Sequence, residues 1–284
     1  MNTPDPYECG TLKVPGATLY YERRGSGPVL LLIPGGGADA GLYAGVAGDL
    51  AAAGYTVVSY DPRGQSRSPL DGPAADHRVA DWGDDAYRML ELLSPHEEAY
   101  VLGCSAGAVA ALDLLARHPG RVRRVVAHEP PLVEVLEDPA PYRAVFAEVR
   151  ELARTEGVGA AMARMGEGMG EPEEKGEEEH GGGVPAAVAE MAPRMYANLP
   201  VFLEHILCPF TGSRPDVAAL REARERLVLA AGRGSRGLVP LYGPAGRLAE
   251  LTGAAFAEFP GGHVGCAERP AEFAARLLAV LGEK

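Results

Sequence analysis

Short, uniformly apolar runs alternate along most of this chain with longer amphipathic ones, and that alternation predicts a mostly parallel sheet covered by helices. The run "PVLLLI" at 28–33 is apolar at every position after its proline, as a strand covered on both faces must be. "ATLYYERRG" at 17–25 precedes it as a strand ending in a glycine turn, and "YTVVSY", "AYVLGC" and "RVRRVVAHE" follow as further strands. The helices expected between them are "DAGLYAGVAGDLAAAG", stopped by Gly54, then "ADWGDDAYRMLELL" and the segment 106–118. Successive βα units of this kind leave little room for an all-α or all-β fold.

The alternation stops at Pro130. From there to about residue 224 the pattern is helical, as in "APYRAVFAEVRELART", with no convincing buried strand. Strand and helix patterns return with "ERLVLAAG", "VPLYGPAGRLAELTG", "AAFAEFP" and the final "RPAEFAARLLAVLGEK". The expected organisation is a core over 1–130, a helical cap over 131–225 and the rest of the core over 226–284. A length of 284 residues suits one domain with such an insertion, and no internal repeat is found.

Charge alters this picture in the cap. The stretch "EGMGEPEEKGEEEH" at 167–180 holds seven glutamates and one lysine, half of the net charge of −12, and a "GGG" follows it. It reads as a solvated, flexible loop over 166–183. The acidic balance argues against a nucleic-acid partner, which needs clustered Lys and Arg. No apolar run approaches the ~18 residues of a membrane span. The start "MNTPDPYECG" lacks the basic and apolar regions of a secretory signal, so a cytoplasmic location is expected. Cys9, Cys104, Cys208 and Cys266 form no C-x-x-C pair, so no metal site, no disulfide framework and no cofactor is expected. The oligomeric state is left open, a homodimer included.

Gly103, Cys104, Ser105, Ala106 and Gly107 match G-x-S-x-G where a strand pattern gives way to a helix pattern. A nucleophile on such a turn takes a strained backbone conformation, and side chains two residues to either side would collide with the neighbouring strand and helix. Glycine at both places removes the collision. The turn lifts the Ser105 hydroxyl above the sheet at a helix N-terminus, where outward N–H groups and the dipole favour negative charge. The blander reading is a tight turn in a glycine- and alanine-rich chain.

With this motif the chain resembles an α/β-hydrolase over nearly its whole length. "LLIPGGGADAG" resembles that family's oxyanion loop after the third strand, although Pro34 stands where many members carry histidine. "YDPRGQSRS" resembles the motif after the fourth strand, and "FPGGHVGCAERPAEFAARL" the histidine loop and last helix. A serine nucleophile needs a base, most often histidine. Of the seven histidines, His263 lies in the glycine-rich loop after the last strand, from which it can reach across the carboxyl edge of the sheet. His77, His96, His118, His180 and His205 have surface, loop or cap readings.

The acid departs from the common pattern. The loop after the seventh strand, "GRGSRGLVP" at 232–240, has Ser235 at the acid's place and no carboxylate. The sixth strand ends in "VVAHEPP", offering Glu129 at the carboxyl edge, where some α/β-hydrolases carry their acid; His128 before it should point away. Among such families the chain is most similar to lactonases of the zearalenone type, through "GCSAGA", the Ser105 to Glu129 separation, "HEPP", "YDPRGQSRS" and "PGGHV". "NLPVF" resembles a segment that lines the pocket there, with Phe202 in place of tryptophan; Gly37 and Pro130 are further candidates for substrate contact. Ala106, after the nucleophile, and Gly36 are the expected oxyanion donors. The Gly35-Gly36-Gly37 run could also suit a phosphate loop, but no G-K-[ST] follows it and no G-x-G-x-x-G opens the next helix.

The sequence therefore predicts a serine hydrolase of a small carboxylic ester or lactone acting through an acyl-enzyme, with Ser105, His263 and Glu129 as its triad. Two rivals stand beside it. One is cleavage of a carbon–carbon bond next to a carbonyl by the same residues; the other is a non-catalytic protein that binds a small molecule on this fold.

Overall fold

The computed structural model describes residues 7–170 and 186–282. Strand alternation sorts the apolar run at 29–33 between two cores. Leu31 and Ile33 pack with Val101, Val125 and Leu229 on one side, whereas Leu30 and Leu32 pack with Leu102, Val126 and Val228 on the other. Both faces need cover, which explains why the run is apolar throughout.

The strands are β1 (Glu8–Val14), β2 (Ala17–Arg24), β3 (Val29–Ile33), β4 (Thr56–Tyr60), β5 (Ala99–Cys104), β6 (Val122–His128), β7 (Leu227–Gly232) and β8 (Ala255–Phe259). They form one sheet in the order β1-β2-β4-β3-β5-β6-β7-β8. β1 and β2 pair antiparallel, β2 meets β4 antiparallel, and the rest is parallel. Helices Val79–Leu93, Ala106–Arg117 and Val239–Thr252 cover one face; Ala44–Ala52 and Pro270–Gly282 cover the other. This is the expected α/β architecture. β1 is an addition to the expected strands: its residues are mostly exposed because it is an edge strand paired with β2 alone, so no apolar run marks it.

Between β6 and β7 the chain forms helices Ala140–Thr155, Val158–Met169, Ala186–Val201, Leu207–Thr211 and Val217–Glu222. This inserted segment has an apolar cluster of its own, with Phe146, Val149, Ala161, Leu203 and Leu207 buried in it. Helix Val158–Met169 continues past residue 166, where a loop was expected to begin; residues 171–183 of that loop lie outside the described residues. Among the described residues no helix is long and apolar enough to cross a membrane.

Candidate active site

At the end of β5 the backbone turns sharply into helix Ala106–Arg117, and Ser105 sits on the turn with φ 55° and ψ −122°. This is strained backbone for a residue with a side chain. The two glycines make it fit: a Cβ on Gly107 would lie 2.1 Å from the Ile33 carbonyl oxygen, and one on Gly103 would lie 2.3 Å from the Gly107 carbonyl oxygen. Ser105 N–H donates to the His128 carbonyl at 2.9 Å, tying the turn to β6. Its side chain stands at the positive end of a twelve-residue helix.

β6 ends one strand away. Glu129 follows it at φ 48°, the third non-glycine residue with positive φ beside Ser66 and Ser105 among the described residues. Its N–H donates to the Ala230 carbonyl at 2.8 Å, and its side chain is fully buried. One carboxylate oxygen, Oε1, accepts from Gly232 N–H at 2.8 Å, and the other, Oε2, lies 2.6 Å from His263 Nδ1. Burial pushes this carboxyl up, but the hydrogen bond and charge of His263, with the Gly232 amide, outweigh burial and hold it below the ordinary glutamate range. Ionised, the carboxylate can only accept, so His263 carries its proton on Nδ1.

His263 comes from the loop after β8, pinned where Gly234 N–H donates to the Gly261 carbonyl at 2.9 Å and Gly262 N–H to Glu268 Oε2 at 2.6 Å. Ser235 is buried beneath that loop, its Oγ 3.6 Å from where a Cβ on Gly262 would lie. The position at which the family resemblance leads to an acid being expected thus packs against the histidine loop and supplies no carboxylate. His128 points to the opposite face, edge-on to Phe259 and Phe273 at 5.8 and 5.5 Å. His77 accepts from Trp82, His205 meets Asp76, and His118 stacks on Tyr87. His180 lies outside the described residues.

Ser105 and His263 both line two apolar cavities. The first, about 180 Å³, runs under the inserted helices between Phe146, Met165, Met169 and Phe210, with Ala106 and Phe202 in its wall. The second, about 210 Å³, follows the glycine loop past Gly35 and Gly36 to Met191, Met195 and Val264. Phe202 stands between the loop and the inserted segment: a Cβ on Gly36 would lie 2.3 Å from its ring. It opens a π-helical turn, Phe202–Ile206, in which Leu207 N–H reaches back to the Phe202 carbonyl.

Two of the expected substrate contacts fall elsewhere. Pro131, not Pro130, lines the first cavity, because the left-handed turn at Glu129 interrupts strand alternation. Gly37 lines neither cavity; its N–H and carbonyl are both taken by side chains, Gln65 and Asn198. Nothing in the sequence marks Met165, Met169, Met191 and Met195 as cavity lining, because an apolar helix face reads alike whether it meets core or cavity. The motif "YDPRGQSRS" is scaffolding in part: buried Asp61 takes the Arg67 guanidinium, at 2.8 and 2.9 Å, and Ala40 N–H at 3.0 Å. Among the described residues no group of three His, Cys, Asp or Glu is placed to hold a metal ion.

A serine on a strained turn, a histidine held by a buried carboxylate, and apolar space beside both can support nucleophilic attack on a carbonyl. Comparison with known proteins gives the family and the fold. Residues 28–157 match the family described as alpha/beta hydrolase fold. The uncharacterized hydrolase YraK of Bacillus subtilis is 36% identical over 278 residues, 96% of this chain and 95% of that one. A zearalenone hydrolase of Bionectria ochroleuca is 34% identical over 124 residues, 43% of this chain and 47% of that protein. The enol-lactonase of Burkholderia xenovorans, at 20% identity and a TM-score of 0.71, shares the fold over 96% of this chain and all 100% of its own. Sequence, architecture and relatives agree: this chain belongs to the alpha/beta hydrolase family.

Proposed function

We propose that this protein is a serine hydrolase of apolar carboxylic esters or lactones that works through an acyl-enzyme. The observation that carries the reading is the 2.6 Å contact between His263 Nδ1 and Glu129 Oε2, beside a serine on a strained elbow. Ser105 Oγ bonds to the substrate carbonyl carbon and its proton passes to His263 Nε2. The Gly36 and Ala106 N–H groups hold the oxyanion. When the tetrahedral adduct collapses, the bond from carbon to the leaving oxygen breaks and His263 returns the proton to that oxygen. Water, deprotonated by the same nitrogen, then releases the acid and restores the Ser105 hydroxyl. For a lactone, acid and alcohol leave as one molecule.

The inserted helices act as the cap, and the two apolar cavities that both border Ser105 and His263 suit a substrate with two apolar groups joined through its ester. Partial identity with a zearalenone hydrolase supports a lactone among the substrates, while Phe202 and the lining methionines give this pocket its own shape. The test is labelling of Ser105 by a fluorophosphonate, together with a panel of p-nitrophenyl esters and aryl or aliphatic macrolactones. The wild type should label and hydrolyse members of the panel, and Ser105→Ala should do neither, with turnover lower by on the order of 10⁶. Failure of the wild type to label would leave a binding protein on this fold; Ser105→Ala turnover within tenfold of wild type would remove Ser105 from the chemistry.

A further inference from the structure

Three successive glycines, 35 to 37, form the loop that carries Gly36, and Gly37 has φ 81°. Such a stretch has the greatest conformational freedom a backbone can have. It cannot by itself aim an N–H group. One long backbone bond, from Ala38 N–H to the Gly35 carbonyl at 3.3 Å, spans it, and side chains from two other parts of the chain supply the rest of the constraint. Gly37 N–H donates to Gln65 Oε1 at 2.8 Å, and the Gly37 carbonyl accepts from Asn198 Nδ2 at 3.1 Å. Gln65 belongs to the loop after β4 and Asn198 to the inserted helix Ala186–Val201. Both are buried, at 1% and 5% exposure.

The two clamps are themselves joined. Asn198 Oδ1 accepts from Ser66 N–H at 2.8 Å and its Nδ2 also donates to Ser66 Oγ at 2.9 Å. Ser66, next to Gln65, is held at φ 47°, and its Oγ donates to Asp39 Oδ2 at 3.0 Å. Buried Asp39 receives Arg194, one turn before Asn198 on the inserted helix, at 2.5 Å. Helix, β4 loop and glycine loop are thus closed into one hydrogen-bonded ring.

We infer that Gln65 and Asn198 are positioning residues that fix the direction of the Gly36 N–H, so that the oxyanion site is complete only while helix Ala186–Val201 is seated on the core. This rests on the serine-hydrolase reading. Holding Gly37 by both backbone groups fixes the peptide planes on either side of it, and with them the loop from which Gly36 projects. An oxyanion donor contributes only when it is aimed before charge develops. A misplacement of about 1 Å costs on the order of 10² in rate. Because Asn198 belongs to the insertion, the same bond that aims the donor reports that the insertion is docked.

The test is the second-order rate of fluorophosphonate labelling, with kcat and KM on one ester from the panel and a melting curve for each variant. Gln65→Leu and Asn198→Leu should label about 10–100-fold more slowly, with kcat lowered by a similar factor and KM within about threefold of wild type. Gln65→Glu keeps an acceptor for Gly37 N–H and, since Gln65 Nε2 has no hydrogen-bond partner among the described residues, gives up no bond there; burial favours the neutral carboxyl, the form that mimics the amide, so it should recover most of the rate, and more of it toward lower pH. If a leucine variant does not fold, Gln65→Met or Asn198→Ala removes the same bond and is read in the same way. Wild-type labelling rates in the folded variants, a loss confined to KM, or a Gln65→Glu no faster than Gln65→Leu would overturn the inference. A wild type that does not label would overturn the hydrolase reading and this inference with it.

Discussion

His263 and Glu129, 134 residues apart in sequence, meet at 2.6 Å, and the carboxylate that makes the contact is fully buried. Its other oxygen is fixed by the Gly232 amide, so the side chain has one orientation, and that orientation sets the tautomer of His263. With Nδ1 protonated, Nε2 is left as the acceptor for the serine proton. The last residue of β7 contributes a backbone N–H to this arrangement, and the loop that follows, where the family resemblance leads to an acid being expected, contributes no carboxylate.

Glu129→Gln should therefore fold and bind substrate while losing about 10⁴ in kcat, the cost of the same change in a well-studied triad. The amide would present either an N–H against His263 Nδ1 or an oxygen without the charge that stabilises the imidazolium. The linkage has a definite sign. Because the folded pKa is held below the ordinary glutamate value of 4.5, stability from this ionised group is present above 4.5 and is lost as pH falls through the lowered value. Kinetics at neutral pH and melting curves below pH 5 check both parts; a fully active Glu129→Gln would mean that another group orients His263.

Gly107→Ala should cost at least about 1–3 kcal/mol, the range for forcing extra volume into a packed interior. The added methyl would lie 2.1 Å from the Ile33 carbonyl oxygen and 2.5 Å from that of Pro34, backbone atoms that cannot swing aside. Gly120→Ala is the control, since a Cβ there meets nothing within 4 Å. Urea denaturation of the pair decides the matter: equal midpoints would show that the elbow can relax.

Much of this fold was legible because burial on both faces leaves a plain mark. β3 and β7 are buried at every residue, and a covered strand admits almost nothing but apolar side chains. β1 leaves no such mark, since "ECGTLKV" is mostly exposed at the sheet edge. The Gly103 and Gly107 pair was legible because steric exclusion acts on residue type directly. Glu129 can be named from the missing carboxylate around Ser235, but the positive φ at Glu129 has no sequence mark, and the sequence alone does not tell Pro130 from Pro131, which lines the cavity. Gln65 and Asn198 were hidden for another reason. A buried amide that holds a distant peptide has no local sequence signature, because its partner is backbone.

Gly36→Ala should lose on the order of 10² or more in kcat/KM, and the obstacle should be Phe202. A methyl at Gly36 would lie 2.3 Å from Phe202 Cδ2, whereas the Gly36 backbone itself has no positive φ to forbid a side chain. Removing the ring should then restore activity, so the double variant Gly36→Ala, Phe202→Ala should exceed Gly36→Ala by at least about tenfold, a coupling expected of residues in contact. Phe202→Ala alone should shift discrimination along an ester chain-length series by about 1–3 kcal/mol. A double variant no better than Gly36→Ala would place the damage in the loop itself, and an unchanged substrate ranking would make Phe202 core of the insertion.

His77 should make the protein lose stability as pH falls from about 6.5 to about 4. Its Nδ1 accepts from the Trp82 indole at 3.1 Å in the core, and its backbone N–H donates to the His205 carbonyl at 2.9 Å, joining the β4 loop region to the insertion. Burial first, then the charges of Arg63 and His205, push its pKa down from 6.5 to about 4, against the weaker opposing pull of Asp81 and Asp76. Between those values the unfolded chain binds a proton that the folded chain refuses, so each step down in pH favours unfolding, by about 3 kcal/mol across the whole window. Asp85 acts oppositely over part of it, because burial pushes its pKa up to about 6 and its folded form keeps a proton that the unfolded form has released. The measurement is therefore a difference: Tm against pH for wild type and for His77→Gln, whose side-chain oxygen can still accept from Trp82 but does not titrate. The gap between the two curves should widen against wild type as pH falls through the window, whereas parallel curves would show that His77 takes up its proton without disturbing the Trp82 contact.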